Sequence, residues 1–348
     1  MHANVTHINT NEDGTRVESL EVRTLHGRRA KATANAIVMA CGGLENARLL
    51  LASNRFASRG VGNSHDLVGR FLMDHPMCKL GWFDPHRCFP IQRQFGQYLL
   101  AHQDGRHLYN YGLMLAPEIQ RKEQLLNCAA FLEQAPTADD SWSALKRLIR
   151  RDTEHHGSRM MKDAAVVIGD LPWLLGNVYR RVALRQIQIP RVAELSLKCL
   201  VEQTPDPSSR VTLADQTDAL GMPLLRIDWR IGELERRSVR RLNELILMEL
   251  RRAGFEEIFR NNQLLADANW RSQFSEYNHP SGTTRMSDSP KEGVVDRNCK
   301  VHEVKGLYIA GSSVFPTAGH ANPTLMIVTL AIRLADWLKR HEFADKRA

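Results

Sequence analysis

Near the carboxyl end of this 348-residue chain, a histidine and an asparagine stand on loops at either side of one short apolar run. His279 opens the stretch His279-Pro280-Ser281-Gly282-Thr283-Thr284-Arg285-Met286. The apolar run is Leu307-Tyr308-Ile309-Ala310-Gly311, followed by Ser312-Ser313-Val314-Phe315-Pro316 and then Asn322-Pro323-Thr324. Such a pair suits hydride removal from an alcohol carbon. An imidazole with an unperturbed pKa near ~6.5 can take the hydroxyl proton at neutral pH. A second polar side chain must hold the substrate oxygen so that the hydride points at its acceptor. His320 and His302 are rivals for the base. A histidine beside a Gly-Thr turn, taken alone, is more often a loop or core residue than a catalyst.

The elements that must position these residues are legible at both ends of the chain. Pro323 to Arg340 reads as a helix, with Asn322 as its N-cap and Pro323 at the favoured first position. Leu325 through Ile332 is apolar nearly all round, which predicts burial. The unpaired N–H groups at such a helix start carry roughly half a positive charge and suit an electron-rich ligand edge, although a plain proline-started helix fits as well. Near the amino end, Ala36-Ile37-Val38-Met39-Ala40 reads as a strand covered on both faces. Gly42-Gly43 breaks it and Glu45 to Leu51 looks helical, the pattern of a parallel α/β junction. Val5–Ile8 and Val17–Val22 alternate at period two around an Asn11–Gly14 turn. Leu195–Val201, Arg210–Leu213 and Leu224–Trp229 read as strands of an antiparallel sheet, backed by a helix from Glu233 to Ala253. Residues 77–195 are poorly legible beyond basic helices such as Trp142–Arg151 and a core segment within Ala164–Gly176.

The carboxyl-terminal block resembles the signature of the glucose–methanol–choline (GMC) family of flavin-dependent alcohol oxidoreductases. Ala40-Cys41-Gly42-Gly43-Leu44-Glu45-Asn46-Ala47-Arg48 resembles a flavin-facing segment of that family, Asp66–Pro76 its L-x-G-R-x-x-x-D-H-P segment, and Glu202–Val211 its substrate-domain turn. The resemblance implies FAD as cofactor and His279 and Asn322 as the catalytic pair; His320, two residues before Asn322, is a candidate for a supporting residue behind them. It implies cofactor contacts at Val5, Cys41, Gly42, Gly43, Asn46, Gly311, Ser312, Asn322, Pro323 and Thr324. Arg285, Met286 and Asp296 read as scaffold. The expected fold class is α/β with α+β elements: an incomplete FAD-binding Rossmann-like domain plus a substrate domain of antiparallel sheet and helices. The expected division is 1–60 for the cofactor domain, 61–275 for the substrate domain, 276–340 returning to the first, and 341–348 as a tail. The phosphate-binding G-x-G-x-x-G that such a domain needs is not found. The one G-x-G, Gly60-Val61-Gly62, has His65 in the third glycine's place and is a decoy. The expected activity is oxidation of an alcohol, plausibly a sugar or polyol. The alternatives are a truncated or split subunit, inactive until a partner chain supplies the nucleotide-binding half, or a non-enzymatic binding protein.

Composition narrows the classes. A net charge of +8 is partly concentrated between Ala144 and Lys198, but the segment lacks the spaced aromatics of a single-strand binder and any groove-reading motif, so nucleic acid is not expected. No apolar run is long enough for a membrane span, and the amino terminus does not resemble a signal peptide. Six cysteines without a C-x-x-C pair suggest free thiols and lean towards the cytoplasm. His75, Cys78, His86 and Cys88 fit no zinc module, and no metal is expected.

Overall fold

The computed structural model describes residues 3–103, 105–137, 140–150, 157–184, 186–187, 189–263 and 268–343. Helices and mostly antiparallel sheets are mixed, as the sequence predicts, around two hydrophobic cores.

The first core is built from both ends of the chain. Strands β1 (Asn4–Thr10), β2 (Val17–Arg23) and β3 (Arg29–Ala32) form an antiparallel meander. Asn11 closes the first hairpin because its side-chain oxygen accepts the N–H groups of Thr15 and Arg16, both at 2.9 Å. Strands β4 (Ile37–Met39) and β14 (Leu307–Ile309), distant in sequence, lie parallel with Ile37 opposite Leu307 and Ile309 opposite Met39. The β4 strand differs from expectation: Val38 is exposed, so only one face is covered. After β4 comes α1 (Glu45–Ala52), whose Arg48 donates to the Asp218 carboxylate and the carbonyl of Pro223, both at 2.7 Å.

The second core lies between a five-stranded antiparallel sheet and α7 (Glu233–Arg252). The sheet order is β13 (Phe259–Asn261), β5 (Met77–Phe83), β10 (Val192–Val201), β9 (Cys128–Pro136) and β8 (Leu113–Met114). Here the sequence reading is corrected. Strand β10 pairs with β5 and β9, while β11 (Arg210–Thr217) and β12 (Pro223–Asp228) form a hairpin of their own. Three of the five strands come from the illegible stretch 77–195. Glu235 caps α7 by accepting the Gly232 N–H at 2.9 Å, and its other oxygen accepts that of Thr204 at 2.6 Å. Val239, Leu242 and Ile246 then point into the core at helical spacing.

The remaining elements are α2 (Phe89–Phe95), the hairpin β6 (Tyr98–His102) and β7 (Gly105–Tyr109), α3 (Pro117–Glu123), and three helices, α4 (Ser141–Arg150), α5 (Gly157–Gly169) and α6 (Leu171–Val182). The last helix, α8 (Thr324–His341), brings two corrections. Its first bond runs from the Ile327 N–H to the Pro323 carbonyl at 2.9 Å, so Pro323 occupies the cap position and Asn322 lies one residue outside the helix. Leu325, Met326, Val328 and Ile332 are exposed; Leu334 and Leu338 are the buried residues, and Trp337 packs on Tyr308. An apolar helix face is buried only where another element meets it, and among the described residues none covers this one. The Gly60–Gly62 segment is a turn packed on Leu50 and Val301, not a strand-to-helix junction. No described helix is long and apolar enough to cross a membrane.

Candidate active site

Four chain segments converge around His279. Residues 69–77 run between Ser209–Val211 on one side and Ser275–Thr283 on the other. The exchanged main-chain bonds include Met73 with Ser281 (3.0 and 2.8 Å) and Leu72 N–H to Ser209 O (2.8 Å). This crossing buries Asp74, whose carboxylate accepts the N–H groups of His75 (2.6 Å), Tyr277 (3.1 Å) and His279 (3.0 Å). Gln203 fixes Asp74 in turn: its side-chain oxygen accepts the Asp74 N–H at 2.9 Å and the Trp229 indole N–H at 2.8 Å. One buried carboxylate thus sets the backbone of the His279 loop. Asn278 adopts the left-handed conformation (φ 59°) that asparagine tolerates better than most residues, which turns the chain into His279.

The His279 ring is half-buried, with its Nδ1 shielded from solvent and unpartnered among the described residues. It meets the rings of His75 at 5.2 Å and Tyr277 at 5.3 Å, both edge-on. His75 is fully buried and donates from Nδ1 to the Gly319 carbonyl at 3.0 Å, leaving Nε2 as a lone-pair nitrogen without a partner among the described residues. Burial holds the His75 pKa below the usual histidine value; neighbouring His279 adds to the shift, while Asp74 and the Gly319 bond oppose it. Burial lowers that of His320 too, against Glu202. A folded histidine kept neutral costs stability once the unfolded chain protonates it. Stability should therefore fall as pH drops from the ordinary value of 6.5 towards the folded value. Urea unfolding between about pH 7 and pH 5 should show this slope, and His75→Phe should flatten part of it; an unchanged slope would remove His75 as a source.

The parallel strands deliver two glycine turns to the same loop. Gly43 is buried so closely on Pro280 that an added Cβ would stand 2.0 Å from the Pro280 carbonyl oxygen. The same oxygen accepts the Ser312 hydroxyl at 2.7 Å, and the Thr283 hydroxyl donates to the Gly43 carbonyl. Asn46, fully buried, staples the turns together: its oxygen accepts the Cys41 N–H (3.0 Å) and its amide donates to Ala310 O (3.2 Å) and Ser313 Oγ (2.9 Å). Gly43→Ala should destabilise the protein by about 1–3 kcal/mol, because backbone must move to admit the methyl group; a chemical denaturation curve indistinguishable from the parent would contradict the contact.

Of the expected site residues, Cys41, Gly42, Gly43, Asn46, Gly311 and Ser312 are drawn into these two turns, with Gly43 and Ser312 touching the residue after His279. Val5 is paired with Val22 in the meander. Asn322 and Thr324 are exposed at the start of α8, with Pro323 buried between them. His302 is tied by Nε2 to the Ser287 carbonyl at 3.0 Å, a structural role. Arg285 stacks on Phe71 at 4.4 Å, the Met286 N–H donates to the Val314 carbonyl at 2.9 Å, and the Asp296 carboxylate accepts the N–H groups of Asn298 and Lys300. Asp74, His75, Gln203 and Tyr277 are additions that the sequence reading did not place at the site. The signal for the first two was the Asp-His-Pro triplet.

Residues 205–331, which include His279 and Asn322, match the family model described as GMC oxidoreductase. The match covers 127 of the 348 residues. The chain is 26% identical over 313 residues to the fructose dehydrogenase large subunit of Gluconobacter japonicus, covering 88% of this chain and 47% of that one. It is 25% identical over 347 residues to the 2-methyl-1,2-propanediol dehydrogenase of Mycolicibacterium austroafricanum, covering 99% and 54%. Among solved structures, its fold is similar to pyridoxine 4-oxidase from Mesorbium loti, with a TM-score of 0.56 at 18% identity, covering 97% of this chain and 57% of that one. Formate oxidase gives a TM-score of 0.54 at 18% identity, covering 98% and 60%. The chain spans about half the length of the curated relatives it matches.

Proposed function

We propose that this chain carries the substrate side and part of the cofactor side of an FAD-dependent enzyme that oxidises an alcohol, with a sugar or polyol as the substrate class. The observation that carries the reading is the His279 loop, locked by Asp74 against two glycine turns at the carboxyl ends of parallel strands, where α/β sheets bind their ligands. The turns suit a flavin. Gly42 (φ 95°) has open space where a side chain would stand, and at Gly311 (φ 115°) only the Asn46 amide nitrogen comes within van der Waals reach, at 3.9 Å, so a planar ligand can approach the backbone. Gly42, Gly311 and the start of α8 at Asn322–Thr324 would hold it. FAD, when bound, supplies the hydride acceptor.

The chain's own residues do the rest. His279 takes the hydroxyl proton, and its position is set through the main chain by Asp74. Asn322 is exposed and makes no hydrogen bond among the described residues, which leaves its amide available to the substrate oxygen. Beside Tyr277 lies a cavity of about 400 Å³ lined by Gln97, Asn110, Glu133 and Gln134. Amides and a carboxylate in one pocket offer both donors and acceptors, as a polyhydroxylated substrate requires. The names of the dehydrogenases above, a fructose and a propanediol enzyme, are in keeping with this class. The electron acceptor belongs to the whole protein.

Because the chain holds no G-x-G-x-x-G, titration of the isolated chain with FAD should give a dissociation constant no tighter than micromolar, about −8 kcal/mol. Quenching of flavin fluorescence is the readout. Stoichiometric flavin retained through gel filtration would refute weak binding; no quenching at millimolar chain would refute the cofactor site.

A further inference from the structure

We propose that α5 and α6 form a lipid-docking surface that lays the protein on an anionic bilayer. Leu171, Leu175, Val178 and Val182 fall at i, i+4, i+7 and i+11 along α6, one face of the helix, and all four are exposed. On α5, Met161 and Ile168 are 73% and 72% exposed, so these side chains have hardly left water on folding. The inward sides of the two helices are already occupied. Leu174 and Asn177 of α6 are buried, with the Asn177 side-chain oxygen accepting the Ile189 N–H at 3.0 Å, and Asp163 of α5 is gripped by Arg147. The outer stripe therefore has no intramolecular partner among the described residues, and exposed apolar surface of that kind marks an interaction site.

Charge selects the occupant. The two acidic side chains of this hairpin are neutralised in ion pairs, Asp163 with Arg147 at 2.6 Å and Asp170 with Arg191 at 2.5 Å. Arg159, Lys162 and Arg181 stay exposed on the same helices. A second copy of the surface would set cation against cation. Anionic headgroups instead accept the basic side chains while the apolar stripe enters the acyl boundary, the behaviour of an interfacial helix. Neither helix is long and apolar enough to cross a bilayer, so both would lie in its plane.

Flotation on a density gradient tests this, since vesicles rise and aggregates do not. The chain should float with vesicles of phosphatidylcholine and phosphatidylglycerol, and less with phosphatidylcholine alone. Leu175→Glu with Val182→Glu should cut the floated fraction roughly tenfold with an unchanged thermal unfolding midpoint. Arg159→Glu with Arg181→Glu should weaken only the binding to the anionic vesicles, as added salt should. Failure to float with either vesicle overturns the proposal. So does a dimer in solution that the Leu175→Glu, Val182→Glu variant dissociates.

Discussion

Replacing His279 by alanine should slow alcohol-dependent flavin reduction by roughly 10²–10⁴-fold in a protein that includes this chain and a complete nucleotide-binding half, the usual range for a lost general base. The expectation rests on a ring whose Nδ1 is buried and unpartnered among the described residues, and whose backbone is pinned to Asp74. Because the pinning is through the main chain, the substitution should leave the fold and flavin binding intact. His320→Ala is the control and should be milder. Asn322→Ala should act through lost orientation of the oxygen alone, since Asn322 lies outside the helix and caps nothing. Anaerobic stopped-flow spectra separate the cases. Full activity in His279→Ala with loss in His320→Ala would transfer the base to His320.

Asp74→Ala should be the most damaging substitution outside the reacting groups, lowering stability by roughly 3–5 kcal/mol. Removal of the carboxylate leaves the N–H groups of His75, Tyr277 and His279 buried or half-buried without an acceptor. Asp74→Asn keeps one acceptor oxygen and should fall between parent and alanine variant. The same change should also reduce turnover in the complete enzyme, because a misplaced base is costly even when its own side chain is intact. Equilibrium urea unfolding gives the first effect and steady-state kinetics the second. An Asp74→Ala variant as stable as the parent would show that water replaces the carboxylate at no cost.

The same residues mark where sequence reading reached and where it stopped. The β1–β2 hairpin, the strand–glycine–helix junction at residues 37–52 and α7 were legible because their signals are local: alternation, a turn-forming asparagine, glycine breaks and helical periodicity. The middle of the chain was not. Strands β5, β8 and β9 owe their existence to pairing with partners far along the chain, and no local pattern told β10 to choose β5 and β9 over β11. The expected burial of Leu325–Ile332 failed for a related reason: periodicity shows that a face is apolar, never that something covers it.

What the sequence determined by itself was the chemistry on offer, an imidazole, an amide and glycines at strand ends, together with the family signature that orders them. Tertiary structure alone decided how they are held. Gly43 is glycine because Pro280 lies against it, Asn46 spans two turns that meet only in the folded chain, and Asp74 organises a loop some two hundred residues away. Such contacts join residues whose nearness is a product of the fold, so their roles cannot be read from neighbours in the chain.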